Sequence, residues 1–388
     1  MKLLQVTPSK VYPPNRGGEH RSHGIVSQFS QHGDHVYRFA QTSELKPRVD
    51  IEIEEGYWEI SDQSRVRYLI KFPIAFDLPN VFSNIALRRL PTGRLEKLVN
   101  WADIVLVEGP WQFAAIDEMT ESTPTVLSSH NLEVERYSNS SGSFVTTWFD
   151  RRLEKIERTA VEHADLIICT SSRDEANIRE KYDVTSDVLV APNGTYSQST
   201  DTVHKVERET FASDMGYGPD DVFGIFVGSG QPPNVTAVEF LLDKLDEIDE
   251  RFKLILVGEV CNKVESNSPN VRMEGFVDDL SYYLTNSDIA LNPMLTGSGT
   301  NIKLLDYMAH GIPVITTDFG ARGFNITHLE HALVVSDTEF TQELNKLIDD
   351  SELQDKIGTQ GSQLVSEHYT WDQISSNLRE DLVKYIGA

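Results

Sequence analysis

The sequence predicts an α/β protein of two doubly wound halves, each a parallel sheet with helices on both faces. Three observations predict it. Apolar runs of about four to seven residues alternate with longer amphipathic stretches along nearly the whole chain of 388 residues, and such alternation builds parallel sheets from βαβ units. A polar stretch at 194–205, GTYSQSTDTVHK, interrupts the alternation near the middle, as a linker does. The length suits two domains at roughly 100–200 residues each.

The elements follow in order. In the first half the expected strands are KLLQVT, HVYRFA, IVLVEG, TVLSSH, LIICTS and VLVAPN; in the second they are FGIFVGS, FKLILVG, VRMEGF, IALNPM, PVITT and ALVVS. A helix is expected from Gly18 to Gln31, with Ile25, Val26 and Phe29 on one face and Gly33 as its stop. Another spans Arg151–His163, where Leu153, Ile156, Ala160 and Val161 recur at helical spacing. A third runs from Thr300 to His310 and stops at Gly311. Residues 41–70, with clustered charge and Tyr57 and Trp58 among carboxylates, read as an insertion or an irregular strand pair. The N-terminal domain is expected over 1–197 and the C-terminal domain over 206–370. Two such halves in one chain give a cleft between two sets of strand carboxyl ends, where ligands of these sheets bind.

Charge narrows the function classes. With 35 basic and 60 acidic residues the formal net charge is −25, which repels phosphate backbones and argues against nucleic acid as a partner. Only 15 of the basic residues are Lys, and an acidic, Lys-poor surface suits a halophilic protein in a salt-rich cytoplasm, where screening weakens self-repulsion. Two cysteines, Cys169 and Cys261, sit in apolar runs without metal-ligand spacing. No secretion signal opens the chain and no apolar run reaches the ~18 residues of a membrane span. A cytoplasmic protein is expected.

The strongest chemical signal is Gly297-Ser298-Gly299-Thr300-Asn301-Ile302-Lys303-Leu304-Leu305-Asp306. A strand runs into a small-residue turn that opens a helix, and the free N–H groups of a helix start attract anions. Lys303 and Asp306, three apart, share a face; the cation can hold a diphosphate and the carboxylate the hydroxyls of a ribose. The plainer reading is that Ser298 or Thr300 caps the helix and Lys303–Asp306 is a surface pair. A second signal is the first βα loop, Pro13–Glu19, where Gly17 and Gly18 let backbone approach a ligand, or simply make a tight turn. A third is His130 in SSHNLE, directly after a strand; most lone histidines are structural. V-G-S-G-Q-P-P at Val227–Pro233 lacks the third glycine of a dinucleotide fingerprint, and no Walker A, HExxH or GxSxG motif occurs.

Taken in order, MKLLQVTP…PPNRGGEHR, VLSSHNLEVE, ADLIICTSS, VLVAPNGT, FVGSGQPPN, LILVG, EGFVDDL…YLTNSDIALNPM, GSGTNIKLLDYMAHGIPVITT and EHYTWDQ resemble the family 4 glycosyltransferases of GT-B fold. The resemblance covers nearly all of the chain except about 41–100. It implies two Rossmann-like domains, with the final helix 371–388 crossing back to the N-terminal one. It further implies retaining transfer from a nucleotide diphosphate-sugar, without a metal or other cofactor. The family's E-x7-E element falls on Ser298, the usual contact of the donor sugar, and Asp306, the ribose ligand. Its usual Arg after the first strand of the second domain is Ser229 here, and its nearby Lys is Asn234. Diphosphate binding then rests on Lys303, the helix start at Gly299, Thr300 and Asn301, and the Gly17–Gly18 amides. His130 matches the family's cleft histidine, and the base is expected at Phe276-Val277-Asp278.

The expected reaction leaves charge on the departing diphosphate, for which Lys303 and helix-end N–H groups are preorganised donors. With no covalent nucleophile in view, the acceptor attacks on the same face and the leaving phosphate takes its proton, while closure of the cleft excludes water. The acceptor, a saccharide, polysaccharide or lipid-linked molecule, is expected to meet 41–70 and Glu108-Gly109-Pro110-Trp111. Arg88, Arg89, Arg94 and Lys97, with Leu90 and Leu95, form the one basic cluster that suits peripheral contact with the inner membrane face; the alternative is a solvated helix. Two other functions fit the same residues: a same-fold sugar-nucleotide epimerase or phosphorylase, and a non-catalytic binding subunit.

Overall fold

The structure, a computed structural model, describes residues 1–41, 50–61, 81–89, 93–137, 144–196, 205–297 and 299–387. The chain forms two compact units, one of Met1–Asn193 with Trp371–Ala388 and one of Gly194–Thr370.

In the first unit the strands are β1 (Lys2–Thr7), β2 (His35–Ala40), β3 (Asp50–Glu54), β4 (Tyr57–Ser61), β5 (Ile104–Glu108), β6 (Thr125–Ser128), β7 (Leu166–Cys169) and β8 (Asp187–Val190). They form one sheet in the order β3-β4-β2-β1-β5-β6-β7-β8. All pairs are parallel except β3–β4. β1 and β5 are apolar on both sides because helices cover both faces. Leu4, Val6, Val105 and Val107 pack on one face, and Leu3, Ile104 and Leu106 on the other. In the segment read as an insertion or strand pair, β3 and β4 are an antiparallel pair with a bulge between Glu52 and Glu54. Its acids sit on an exposed edge strand, where charge blocks further pairing. The rest of that segment, 42–49 and 62–70, lies outside the described residues.

The helix expected to Gln31 ends at Gly24. Beyond it the backbone tightens to i−3 bonds, Ser27 N to Gly24 O at 3.1 Å and Phe29 N to Val26 O at 3.2 Å. Ile25, Val26 and Phe29 are nonetheless fully buried, and Gly33 ends the segment at φ 77°. Trp371 packs at this point, and only glycine leaves room for it: a methyl carbon on Gly24 would lie 2.1 Å from its ring. The helix Trp371–Gly387 packs Trp371, Ile374, Leu378 and Leu382 into this face of the first unit. The helix expected over Arg151–His163 begins earlier, at Phe144, and buries Leu153, Ala160 and Val161.

The second unit has β9 (Val222–Val227), β10 (Phe252–Val257), β11 (Val271–Gly275), β12 (Ile289–Asn292), β13 (Val314–Thr317) and β14 (Leu333–Val335). Their order is β11-β10-β9-β12-β13-β14, parallel throughout. Phe226, Leu254, Leu256 and Leu291 pack with Ala237, Val238 and Leu241 on one face. Phe223, Ile225, Ile255 and Val257 meet Leu304, Leu305 and Met308 on the other. Thr195 N donates to Tyr369 O at 2.9 Å and Thr195 bridges Thr370, so the two chain crossings into this unit lie side by side.

Candidate functional site

In each unit the strand order reverses at one point, and there the loops leaving adjacent strands diverge to opposite faces and open a crevice. In the second unit this point lies between β9 and β12. The loop after β9 holds Gly228, Ser229 and Gly230 and opens the helix Pro232–Lys244; the loop after β12 holds Gly297, Gly299 and Thr300 and opens the helix Ile302–Ala309. Gly297 at φ 136° and Gly299 at φ 68° give this second loop a path that favours glycine.

The two loops meet through side chains. Lys303 Nζ donates to Asn234 Oδ1 at 2.6 Å and lies 4.1 Å from the centroid of the Phe226 ring. Asn234 Nδ2 in turn donates to Ser229 Oγ at 3.0 Å. Lys303, Asn234 and Ser229 are thus brought together. Burial lowers the Lys303 pKa to about 7. One turn on, Asp306 Oδ1 accepts from Thr195 Oγ1 at 2.6 Å, and burial raises the Asp306 pKa to about 6 against that hydrogen bond. Lys303 and Asp306 therefore have separate partners, and the surface-pair reading falls.

The helix expected from Thr300 starts at Ile302, with Asn301 in the N-cap position. Asn301 does not cap it; its Nδ2 donates to Asn292 Oδ1 at 2.6 Å, and fully buried Asn292 bonds Thr316 and Gly320 across the sheet. The helix start has no side-chain cap. Ser298 lies outside the described residues. Val277 is half-buried in the loop after edge strand β11, beside Phe276, whose ring is 80% exposed. Sequence reading missed Arg322, whose Nη2 would lie 3.5 Å from a methyl carbon on Gly297. It also missed the contact of Thr195, which closes the VLVAPNGT motif, with Asp306.

In the first unit the reversal lies at β1, between β2 and β5. The helix Gly17–Gly24 opens after β1, and Glu19 Oε2 turns back to accept from Asn15 N at 2.9 Å and Arg16 N at 3.2 Å. Those two amides are therefore satisfied within the chain, and an anion at Gly17–Gly18 would use the N–H groups that follow. A methyl carbon on Gly18 would lie 3.9 Å from His130 Nδ1, so the structure brings His130 and this turn together. His130 Nε2 lies 2.5 Å from Glu108 Oε2 at the end of β5. Glu108, expected among acceptor-facing residues, is 2% exposed. Trp111 is likewise buried.

Two members of the basic cluster are paired with acids. Arg88 pairs with Glu118 at 2.5 Å and Arg94 with Asp50 at 2.9 Å, while the side chains of Arg89 and Leu90 lie outside the described residues. Among the described residues no three His, Cys, Asp or Glu side chains gather as a metal-ligand set, and no helix is long and apolar enough to cross a membrane.

Residues 16–197 match the family model described as Glycosyltransferase Family 4, and residues 223–350 match that described as Glycosyl transferases group 1. An uncharacterized glycosyltransferase of Methanocaldococcus jannaschii is 23% identical over 231 residues, which are 57% of this chain and 60% of that protein's length. Among solved structures, sucrose-phosphate synthase from Thermosynechococcus elongatus aligns over 100% of both chains with a TM-score of 0.76 at 16% identity. Anabaena HepE in complex with UDP aligns over 99% of this chain and 100% of its own, with a TM-score of 0.69 at 14% identity. A glycosyltransferase from Rickettsia africae aligns over 99% of this chain and 98% of its own, with a TM-score of 0.71 at 15% identity. These likenesses carry the fold, two parallel-sheet domains of GT-B type, while the domain matches carry the lineage. With one model on each half, the chain belongs to the family 4 glycosyltransferases, its first domain of the family 4 type and its second of the group 1 type.

Proposed function

We propose that the protein transfers a sugar, with retention at the anomeric carbon and without a metal, from a nucleotide diphosphate-sugar to a saccharide or lipid-linked acceptor. One observation carries the reading: a lysine ammonium hydrogen-bonded to Asn234 at the β9/β12 crevice, one turn before a carboxylate and at the start of a helix that no side chain caps. That arrangement suits a diphosphate at Lys303 and the helix start, and a ribose at Asp306. HepE is known bound to UDP and to UDP-glucose, so uridine nucleotides are the first donors to try here.

The proposed chemistry follows the charges. The bond between the anomeric carbon and the diphosphate oxygen breaks, and that oxygen gains charge. Lys303, protonated in the complex, and the positive end of the helix Ile302–Ala309 stabilise it without reorganising. The acceptor oxygen bonds the same face of the sugar, and its proton passes to the departing phosphate. Asp306, released from Thr195, accepts from the ribose hydroxyls, and the exposed Phe276 ring belongs to the loop expected to hold the base.

The test is a thermal-shift screen of nucleoside diphosphates and their sugars, followed by transfer assays on the native protein, Lys303→Ala and Asp306→Ala. A ligand that binds only the folded state at a hundred times its Kd adds about 2.7 kcal/mol of stability. The proposal expects a shift with one nucleotide, weakened in both variants, and donor consumption that Lys303→Ala reduces by about 100-fold or more. Binding without any consumption would turn the reading to a non-catalytic subunit, and full transfer by Lys303→Ala would sink the mechanism.

A further inference from the structure

Below the crevice of the first unit lies a chain of buried polar side chains that the transfer reading leaves unused. It begins at His130, whose Nε2 meets Glu108 Oε2 at 2.5 Å. The other carboxylate oxygen of Glu108 accepts from Gln5 Nε2 at 2.5 Å. Gln5 cannot turn over, because its Nε2 also donates to Ser22 O at 2.7 Å and its Oε1 accepts from Arg38 Nε at 2.8 Å. Arg38 continues to Glu59 at 3.2 Å, and Glu59 Oε2 accepts from the N–H groups of Val11 and Tyr12, both at 3.0 Å, in the loop that leads to Gly17 and Gly18. Gln5 and Arg38 are fully buried and Glu59 nearly so.

Burial alone would push the Glu108 carboxyl up, but the hydrogen bonds from His130 and Gln5 and the charges of His130 and Arg21 outweigh it and hold its pKa below the ordinary value. Arg21, on the helix Gly17–Gly24, is itself 1% exposed. Cys169 at the end of β7 is also close to Arg21, and Gln5 links Arg38 to Glu108. A carboxylate in this setting has only lone pairs to offer, so the His130 nitrogen facing it must carry the hydrogen.

We propose that Glu108 is a positioning residue that holds the ring of His130 by its Nε2–H, with Nδ1 turned toward the Gly17–Gly18 turn to meet a ligand hydroxyl. The role follows from geometry: with Nε2 engaged by Glu108, Nδ1 is the ring nitrogen left facing that turn, where a sugar hydroxyl can meet it. The proposal rests on the transfer reading for the ligand's identity, and not for the state of the ring. It also makes a specific prediction for Glu108→Gln. Because Gln5 presents an N–H to residue 108, the new amide must turn its oxygen to Gln5 and its NH2 to His130. The ring then has to accept at Nε2 and carry its hydrogen on Nδ1.

The imidazole nitrogens of His130, read by 15N NMR in the full chain near neutral pH, test this directly, with His130→Ala to assign the signal. The native protein is expected to show Nε2–H, Glu108→Gln to show Nδ1–H, and Glu108→Asp to keep Nε2–H. In transfer assays Glu108→Gln is expected to lower kcat by about tenfold or more with a smaller change in KM for the donor, as mispositioned partner groups do. Glu108→Asp is expected to recover part of that loss. The double variant Glu108→Gln/His130→Ala is expected to be no slower than His130→Ala, since a positioning residue acts only through the group it holds. An Nδ1–H ring in the native protein overturns the proposal. So does an inverted ring with unchanged kcat, or a double variant that sums the two losses. If no donor is consumed at all, the transfer reading fails, while an Nε2–H ring that inverts in Glu108→Gln still supports the lock.

Discussion

Lys303 rests its ammonium against the face of Phe226 with Asn234 as its hydrogen-bond partner, and with a pKa lowered to about 7 it is only about half charged at neutral pH. A diphosphate needs the charged form, so above pH 7 binding must take up a proton and affinity should fall up to about tenfold per pH unit. Below pH 7 the lysine is already protonated and this dependence levels off. Asp306 works in the opposite direction: its pKa is raised to about 6, so below that pH it is protonated and loses acceptor capacity for ribose hydroxyls. Donor affinity measured by calorimetry should therefore peak between about pH 6 and 7. Lys303→Met should flatten the alkaline limb and Asp306→Asn the acidic one. A pH-independent native affinity would remove both residues from the donor contacts. At this scale Lys303, Asp306 and His130 could be singled out as candidates, because a small-residue turn before a helix and a histidine after a strand are local patterns. Their contacts with Asn234, Thr195 and Glu108 could not. Glu108 meets His130 only because β5 and β6 are neighbours in the sheet, and Thr195 meets Asp306 across 111 positions of sequence.

At the scale of elements, the twelve apolar runs read as strands are all strands, since a strand buried on both faces shows as a continuous apolar run. Ends were less legible than centres. The first helix stops at Gly24, where a tryptophan from far along the chain packs on it, and the helix of Lys303 starts at Ile302, with Asn301 bonded instead to buried Asn292. The crossing of loops after β9 and β10 is equally long-range. Gly258 sits at φ 104°, its N–H bonds Gly275 O at 2.6 Å, and a methyl carbon there would lie 2.3 Å from Gly228 O. Gly258→Ala should therefore destabilise the second unit by roughly 2 kcal/mol or more, from backbone strain and collision with carbonyl backbone together. Urea unfolding followed by peptide-resolved hydrogen exchange would locate the loss in β9–β11. An unchanged midpoint would mean that the loop relaxes freely. The same shift of Gly228 would move Ser229 and Asn234, so donor binding should weaken alongside.

At the scale of the whole molecule, the first unit is made of two separate stretches of chain. Trp371 is 1% exposed, its ring lies on Gly24, and Arg379 further along the same helix pairs with Asp34, which also holds the N-terminal amine at 2.7 Å. Trp371→Ala should cost the first unit about 3–5 kcal/mol, as for other large buried aromatics. Removing Trp371–Ala388 should leave residues 1–193 open to protease while 205–370 stays resistant; equal resistance of both would show that the helix is dispensable. The arrangement also has a consequence in time. During synthesis the first unit emerges first, yet its apolar face around Ile25, Phe29 and Leu106 has no cover until the last helix has left the ribosome. The second unit, whose ends meet at Thr195 and Thr370, needs nothing made after Thr370. The half translated second is therefore the first able to finish folding, and the nascent N-terminal half must spend that interval as a client of whatever shields exposed apolar surface in the cell.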